Sequence, residues 1–189
     1  MNVFKFLSMG LAAIALCSSC SNDDSNPVNE EEVITTLTAT LTGGGRTVTL
    51  TSRDLDGAEG PNAPVVTVSG NLAPSTTYTG SLDLLNEAAT PAESITEEIL
   101  EEAHDHQFFF TISNALATTA YAVPNDENGK PVGLNFTLTT GTVTGTGTFT
   151  IILRHQPNKN AEGVAAGNIA NAGGETDIQV SFPITVAAQ

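Results

Sequence analysis

Thr36-Leu37-Thr38-Ala39-Thr40-Leu41-Thr42-Gly43-Gly44-Gly45-Arg46-Thr47-Val48-Thr49-Leu50-Thr51 sets threonine against an apolar residue at every second position, twice, on either side of three glycines. A period of two sends successive side chains to opposite faces of a strand, so each run has one apolar face and one threonine face. Threonine is β-branched and suits a pleated, half-exposed surface. Glycines between two such runs supply the backbone freedom of a hairpin turn. The stretch therefore predicts an antiparallel pair with one face in a core and one in water.

The same pattern continues along the chain. Val66 and Val68, then Tyr78, Leu82 and Leu84, then Phe108, Phe110 and Ile112 keep the alternation. Leu134, Phe136 and Leu138 follow, with Phe149, Ile151 and Leu153, and Ile178, Val180, Phe182, Ile184 and Val186 close it. About seven to nine short strands of this kind predict an all-β fold, a two-sheet antiparallel β-sandwich that is immunoglobulin-like in the broad sense. Residues 33–189 supply enough chain for one such domain and too little for a second. One segment departs from the pattern: Ile95, Ile99 and Leu100 stand at helical spacing behind Ser94 or Thr96 as N-cap, which predicts a short helix near 95–104. Pro183, inside the last run, predicts an edge position or a bulge.

The first residues read as an export signal. Met1 to Lys5 supplies positive charge, Phe6 to Cys17 is an apolar run, and Ser18 and Ser19 are small. The run is shorter than the roughly 20 apolar residues a spanning helix needs, so residues 1–19 are expected to be removed. Leu16-Cys17-Ser18-Ser19-Cys20 resembles the lipobox of bacterial lipoproteins, which implies lipid on Cys20. The partner this implies is a membrane, reached through that lipid. Residues 20–32 are polar and acidic, include Pro27, and read as a flexible tether. Cys20-Ser21-Asn22-Asp23-Asp24 resembles the start of Bacteroidetes surface lipoproteins, which implies the outer membrane, on its periplasmic or cell-surface face.

Charge and cysteine count exclude much. The formal charge is −15, and removal of residues 1–19, with Lys5 and no acidic residue, makes it −16. Such a field repels phosphate backbones, so no nucleic acid is expected as partner, while cations are attracted. Cys17 and Cys20 are the only cysteines, so the folded domain has neither disulfide nor thiol chemistry.

Three stretches carry candidate sites. In Arg53-Asp54-Leu55-Asp56-Gly57-Ala58-Glu59-Gly60, the carboxylates of Asp54, Asp56 and Glu59 sit near glycines as in a loop that offers oxygens to calcium; the alternative is a polar turn made by Asp56-Gly57. If residues 104–106 are extended, His104 and His106 share a face and can chelate Zn or Cu, with His155 or a nearby carboxylate completing the set. The alternative is histidines that are solvated or hydrogen-bonded at a strand start. Arg154-His155-Gln156-Pro157-Asn158-Lys159, with Asn171 to Asp177 downstream, offers either an anion-accepting loop pair or basic residues paired with the abundant carboxylates. The six carboxylates of Glu93, Glu97, Glu98, Glu101, Glu102 and Asp105 read as a solvated face or a cation-attracting patch.

No nucleophile elbow, zinc-protease helix, phosphate loop or dinucleotide fingerprint occurs, so no catalytic residue and no cofactor beyond a divalent metal is predicted. Arg53-Asp54-Leu55-Asp56-Gly57, the run from Glu101 to Phe110, and Arg154 to Lys159 with Asn171 to Asp177 resemble a family of Bacteroidetes, flavobacterial-type lipoproteins. Its members sometimes carry the label of the type 1 periplasmic binding fold. That fold needs two α/β lobes and more chain than this, whereas alternating strands dominate here. The resemblance implies an envelope address and brings no activity with it. The expected function is therefore a membrane-anchored, non-enzymatic binding or structural module that meets an envelope protein or small ligand, or one that captures divalent metal or solute.

Overall fold

The alternating stretch forms the hairpin it predicts: β1 (Thr36–Gly43) pairs with β2 (Arg46–Arg53), placing Ala39 opposite Leu50 and Leu41 opposite Val48. Gly44 and Gly45 make the two-residue turn, both at positive φ, which a side chain would resist. The structure is a computed structural model that describes residues 32–57 and 60–188. The signal segment, Cys20, the tether as far as residue 31, and Glu59 lie outside the described residues.

The remaining elements are β3 (Val65–Val68), β4 (Thr77–Asn86), β5 (Glu93–Ser94), α1 (Ile95–Glu101), β6 (His106–Ile112), β7 (Ala117–Tyr121), β8 (Asn135–Thr140), β9 (Gly145–His155) and β10 (Glu175–Val186). One sheet runs β3-β2-β1-β4-β8-β7, with β5 added beside β4; the other runs β10-β9-β6. Every ladder is antiparallel. The apolar rows of the two sheets meet face to face, Leu37, Leu41, Leu50, Leu84 and Phe136 from one against Phe108, Phe149, Ile151, Leu153 and Phe182 from the other. The Phe136 ring lies 4.5 Å from that of Phe110 and 6.0 Å from that of Phe149. The protein is thus an all-β, two-sheet antiparallel sandwich with one α-helix among the described residues.

The helix is capped by Ser94, whose Oγ accepts from the Glu97 N–H at 3.3 Å, and it buries Ile95 and Ile99. It stops at Glu101, short of the predicted residue 104, and leaves Leu100 exposed. β10 is an edge strand of its sheet, as Pro183 requires. No helix among the described residues is long and apolar enough to cross a membrane.

The outer face of the three-stranded sheet departs from the expected wet side. Phe109 packs under Val164 and Ala172 of the segment between β9 and β10, in a second small apolar cluster. Gln107, on the same face, is fully buried and donates to the Val164 carbonyl at 2.8 Å and the Tyr121 hydroxyl at 3.0 Å. A long connection folded back over the sheet hides polar and apolar positions alike, which a period of two does not register.

Gly80 stands opposite Phe136 in the β4–β8 ladder, and a Cβ there would meet the phenylalanine ring at 2.5 Å. The ring is fully buried and has no room to retreat. Gly80→Ala is expected to destabilise the domain by about 1–3 kcal/mol through overpacking, read as a lower urea midpoint.

Candidate metal centre

Two histidines continue the apolar rows of the three-stranded sheet. Along β6 the core-facing positions run Phe110, Phe108, His106, and along β9 they run Phe149, Ile151, Leu153, His155. The ladder places His106 directly opposite His155, with ring centroids 4.7 Å apart. Both imidazoles therefore cap the core at one end of the sandwich.

Two carboxylates reach the same point by different routes. Pairing between β9 and β10 shifts register between Thr176 and Ile178, so Asp177 is an extra residue bulged out of the ladder. A bulge re-aims a side chain that strict alternation would send elsewhere. Its carboxylate lies 3.8 Å from His155 Nδ1 and 3.9 Å from His106 Nε2. Glu32, on the approach to β1, brings one oxygen to 2.6 Å from His106 Nε2 and the other to 3.5 Å from His155 Nδ1.

One donor atom from each of Glu32, His106, His155 and Asp177 lies within 4.8 Å of all the others. Tetrahedral ligands at bond lengths of about 2.0–2.2 Å stand roughly 3.3–3.6 Å apart, so this spacing needs only small side-chain adjustment to close on an ion. The side chains are 6%, 0%, 7% and 1% exposed respectively, which shields them from bulk solvent. His155 Nδ1 and Glu32 Oε2 have no partner in hydrogen-bonding geometry, although buried polar atoms ordinarily have one, and His106 Nε2 meets only the other Glu32 oxygen.

The other ring nitrogen of His106 explains which atom faces the cluster. Nδ1 lies 3.2 Å from the carbonyl of Glu102, the C-cap residue of α1. Donation from Nδ1 to that carbonyl leaves Nε2 as the inward nitrogen, an orientation by a backbone partner that is typical of metal-bound histidine. An Nε2 lone pair facing a carboxylate at 2.6 Å is repulsive unless a proton or a cation stands between them. Without a metal a proton takes that place. Burial pushes the His106 imidazole down, but the Glu32 carboxylate, the Glu102 carbonyl and Asp177 outweigh it, and the net shift is upward from 6.5. Burial likewise pushes Glu32 up, yet its contact with His106 and the nearby His155 hold it below 4.5.

The surroundings carry further negative charge. Burial, then repulsion from Glu93, Glu32, Glu102 and Glu101, raises Glu98 on α1 from its ordinary value of 4.5. Of the two cations expected in the anion-accepting loop pair, Lys159 is turned inward, where Nζ donates to the Ala103 carbonyl at 2.6 Å and to Asp126 at 3.1 Å. The other, Arg154, donates to the Gly173 carbonyl and to Thr176 Oγ1. Both are engaged within the fold, so the anion-accepting loop pair is not formed.

The sequence-predicted residues divide. His106 is in the cluster, but His104 is not: the chain turns through residues 102–105, so the two never share a strand face, and His104 instead pairs with Asp105 at 3.1 Å and is 57% exposed. Asp54 and Asp56 are elsewhere, and Asp56 accepts from the backbone and side chain of Asn62, which orders the loop and holds its carboxyl below 3.8. Glu59 lies outside the described residues. Among the described residues, one group of metal-capable donors assembles, and it draws on Glu32, which the sequence reading put in the tether, and Asp177, which it put in a loop. The signal for His106 and His155 was present, since each occupies the next core-facing position after an apolar row. No protein-family model matches the chain, and neither a curated protein nor a solved structure does.

The linked shifts set a pH dependence for the metal-free protein. His106, raised in the fold, contributes stability that is complete below its unfolded value of 6.5 and lost as pH climbs through the raised value. Glu32, lowered in the fold, contributes above its unfolded value of 4.5 and loses this as pH falls through its lower folded value. Their joint contribution is therefore largest between 4.5 and 6.5, and the urea midpoint in the presence of chelator is expected to fall from pH 6 to pH 8. His106→Gln should flatten that fall; an equal fall in the variant refutes the assignment.

Proposed function

We propose that this chain is a cell-envelope lipoprotein, anchored through lipid on Cys20, whose sandwich domain binds one divalent transition-metal ion at Glu32, His106, His155 and Asp177. The observation that carries the reading is the convergence of two buried imidazole nitrogens, His106 Nε2 and His155 Nδ1, with two buried carboxylates inside 4.8 Å, where His155 Nδ1 has no partner in hydrogen-bonding geometry. Buried nitrogen donors of this kind are costly unless a proton or a metal occupies the space between them.

The donor set selects the ion. Calcium and magnesium take oxygen ligands, six or more of them, and two imidazoles are poor substitutes. Copper(II) favours a planar arrangement, whereas two nitrogens and two oxygens disposed around a point suit tetrahedral zinc. Four protein donors fill zinc's usual coordination, and their burial leaves no open position for a reacting water. The site so filled serves binding and cross-linking rather than catalysis.

In a thermal-unfolding series with chelator, zinc, copper and calcium, zinc at about 100 times its Kd should raise the midpoint by roughly 5–10 °C, and calcium should do nothing. His155→Ala should abolish the zinc shift while the far-ultraviolet β signal persists. No shift with zinc or copper refutes the metal reading. Anchoring is tested separately: cells fed a labelled fatty acid should label the wild-type chain, and Cys20→Ser should remain unlabelled and leave the membrane fraction.

A further inference from the structure

A site whose four donor side chains are 0–7% exposed needs a way in. One cavity, of about 600 Å³, borders two of the segments that carry ligands. Its wall includes Ile34 and Thr35, two and three residues after Glu32 on the approach to β1, and Asp177 itself with the residues after it on β10. Across from these lie Asp54 and the Pro61–Pro64 turn, and no lysine, arginine or histidine is among its lining residues. The cavity thus runs from the surface loop of residues 60–64 to the wall of the metal centre, and every charged group along it is a carboxylate.

Asp54 has the properties of a waystation. Its backbone N–H donates to the Thr35 carbonyl at 2.7 Å, which ties it to the strand approach that carries Glu32. Its Oδ1 is buried without a hydrogen-bond partner among the described residues, while its side chain also meets the Asp56 carboxylate, so two carboxylates stand together at this end of the cavity. Asp54 stands outside the group of four donors that lie within 4.8 Å of one another. A carboxylate in that position attracts a cation without holding it in competition with two imidazoles.

We infer that this cavity is the entrance to the metal centre, and that Asp54 takes the hydrated ion there and passes it to Asp177 and then to the remaining donors. The inference rests on the metal reading above and assigns it a route. The ion exchanges water ligands for protein ligands as it advances, and the proton displaced from His106 leaves to solvent. Because a waystation speeds passage in both directions, Asp54 sets how fast the site fills and empties, while the four ligands set how tightly it holds. A closed site with a lined entrance is an exchangeable one, suited to capturing metal as well as to being held together by it.

The test is stopped-flow transfer of zinc between a chromophoric chelator and the full-length protein, with affinity measured separately by equilibrium competition. Asp54→Asn should slow association and dissociation together by about tenfold, the loss expected when a charged group no longer concentrates a cation at a cleft. Ala63→Phe, at the exposed rim of the cavity, should slow both rates without touching any carboxylate, and it keeps the test valid should Asp54→Asn fail to fold. Unchanged rates in both variants overturn the inference and leave the metal reading standing. Failure of the wild-type chain to take up zinc at all overturns the metal reading itself. Asp177→Asn separates the two roles, since it should weaken equilibrium affinity, whereas a loss of affinity in Asp54→Asn would make Asp54 a ligand and overturn its assignment to the route.

Discussion

The core-facing rows of the three-stranded sheet end in two imidazoles, and the burial of His106 and His155 is the constraint around which that end of the sandwich is organised. An apolar pair in the same places would need nothing further. Two histidines at 0% and 7% side-chain exposure need compensation for four ring nitrogens, and the chain brings it from several directions. The C-cap of α1 turns the Glu102 carbonyl toward His106, the bulge in β10 swings Asp177 in, and the approach to β1 lays Glu32 across both rings.

Lys159 supports the same arrangement from behind. Its ammonium binds the carbonyl of Ala103, in the turn that carries Glu102, and the carboxylate of Asp126, which also accepts from the Asn128 and Lys130 N–H groups. Burial lowers the Lys159 ammonium more than its ion pair restores, while Asp126, with its extra N–H donors, is held low despite burial. The pair is thus better understood as fixing the position of the turn than as a source of net stability, in keeping with the heavy desolvation of buried ion pairs. A fixed turn keeps the Glu102 carbonyl where His106 can use it.

How much of this was legible in the sequence follows from what a period can encode. Alternation of threonine with leucine, valine and phenylalanine reports which residues share a face, and this was enough for the sandwich and the β1–β2 hairpin, while Pro183 called for an edge position or a bulge and β10 takes the edge. The same alternation placed His106 and His155 in core-facing phase, although His104, two residues earlier, looked like the more natural partner. A period cannot report where it is broken. Asp177 acquires its direction from a bulge, and Glu32 lies in an acidic run whose composition matches a solvated tether. His104 is lost because the helix ends in a turn that runs up to His106, and the covering of Phe109 and Gln107 depends on a connection folding back from far along the chain.

The positions of the four donors in the chain give the cluster its mechanical meaning. Residues 32, 106, 155 and 177 belong to the approach to the first strand, the first strand of the second sheet, the end of its central strand and its edge. With both cysteines of the chain at positions 17 and 20, the domain has no disulfide to close such long loops. An ion shared by these residues closes them all at one point, and closing long loops removes the most freedom from the unfolded chain. A proton between Glu32 and His106 joins only two of them, whereas the proposed ion would join all four. If the cavity beside Asp54 is the proposed entrance, such a cross-link would be one that can be loaded and released with the fold already formed.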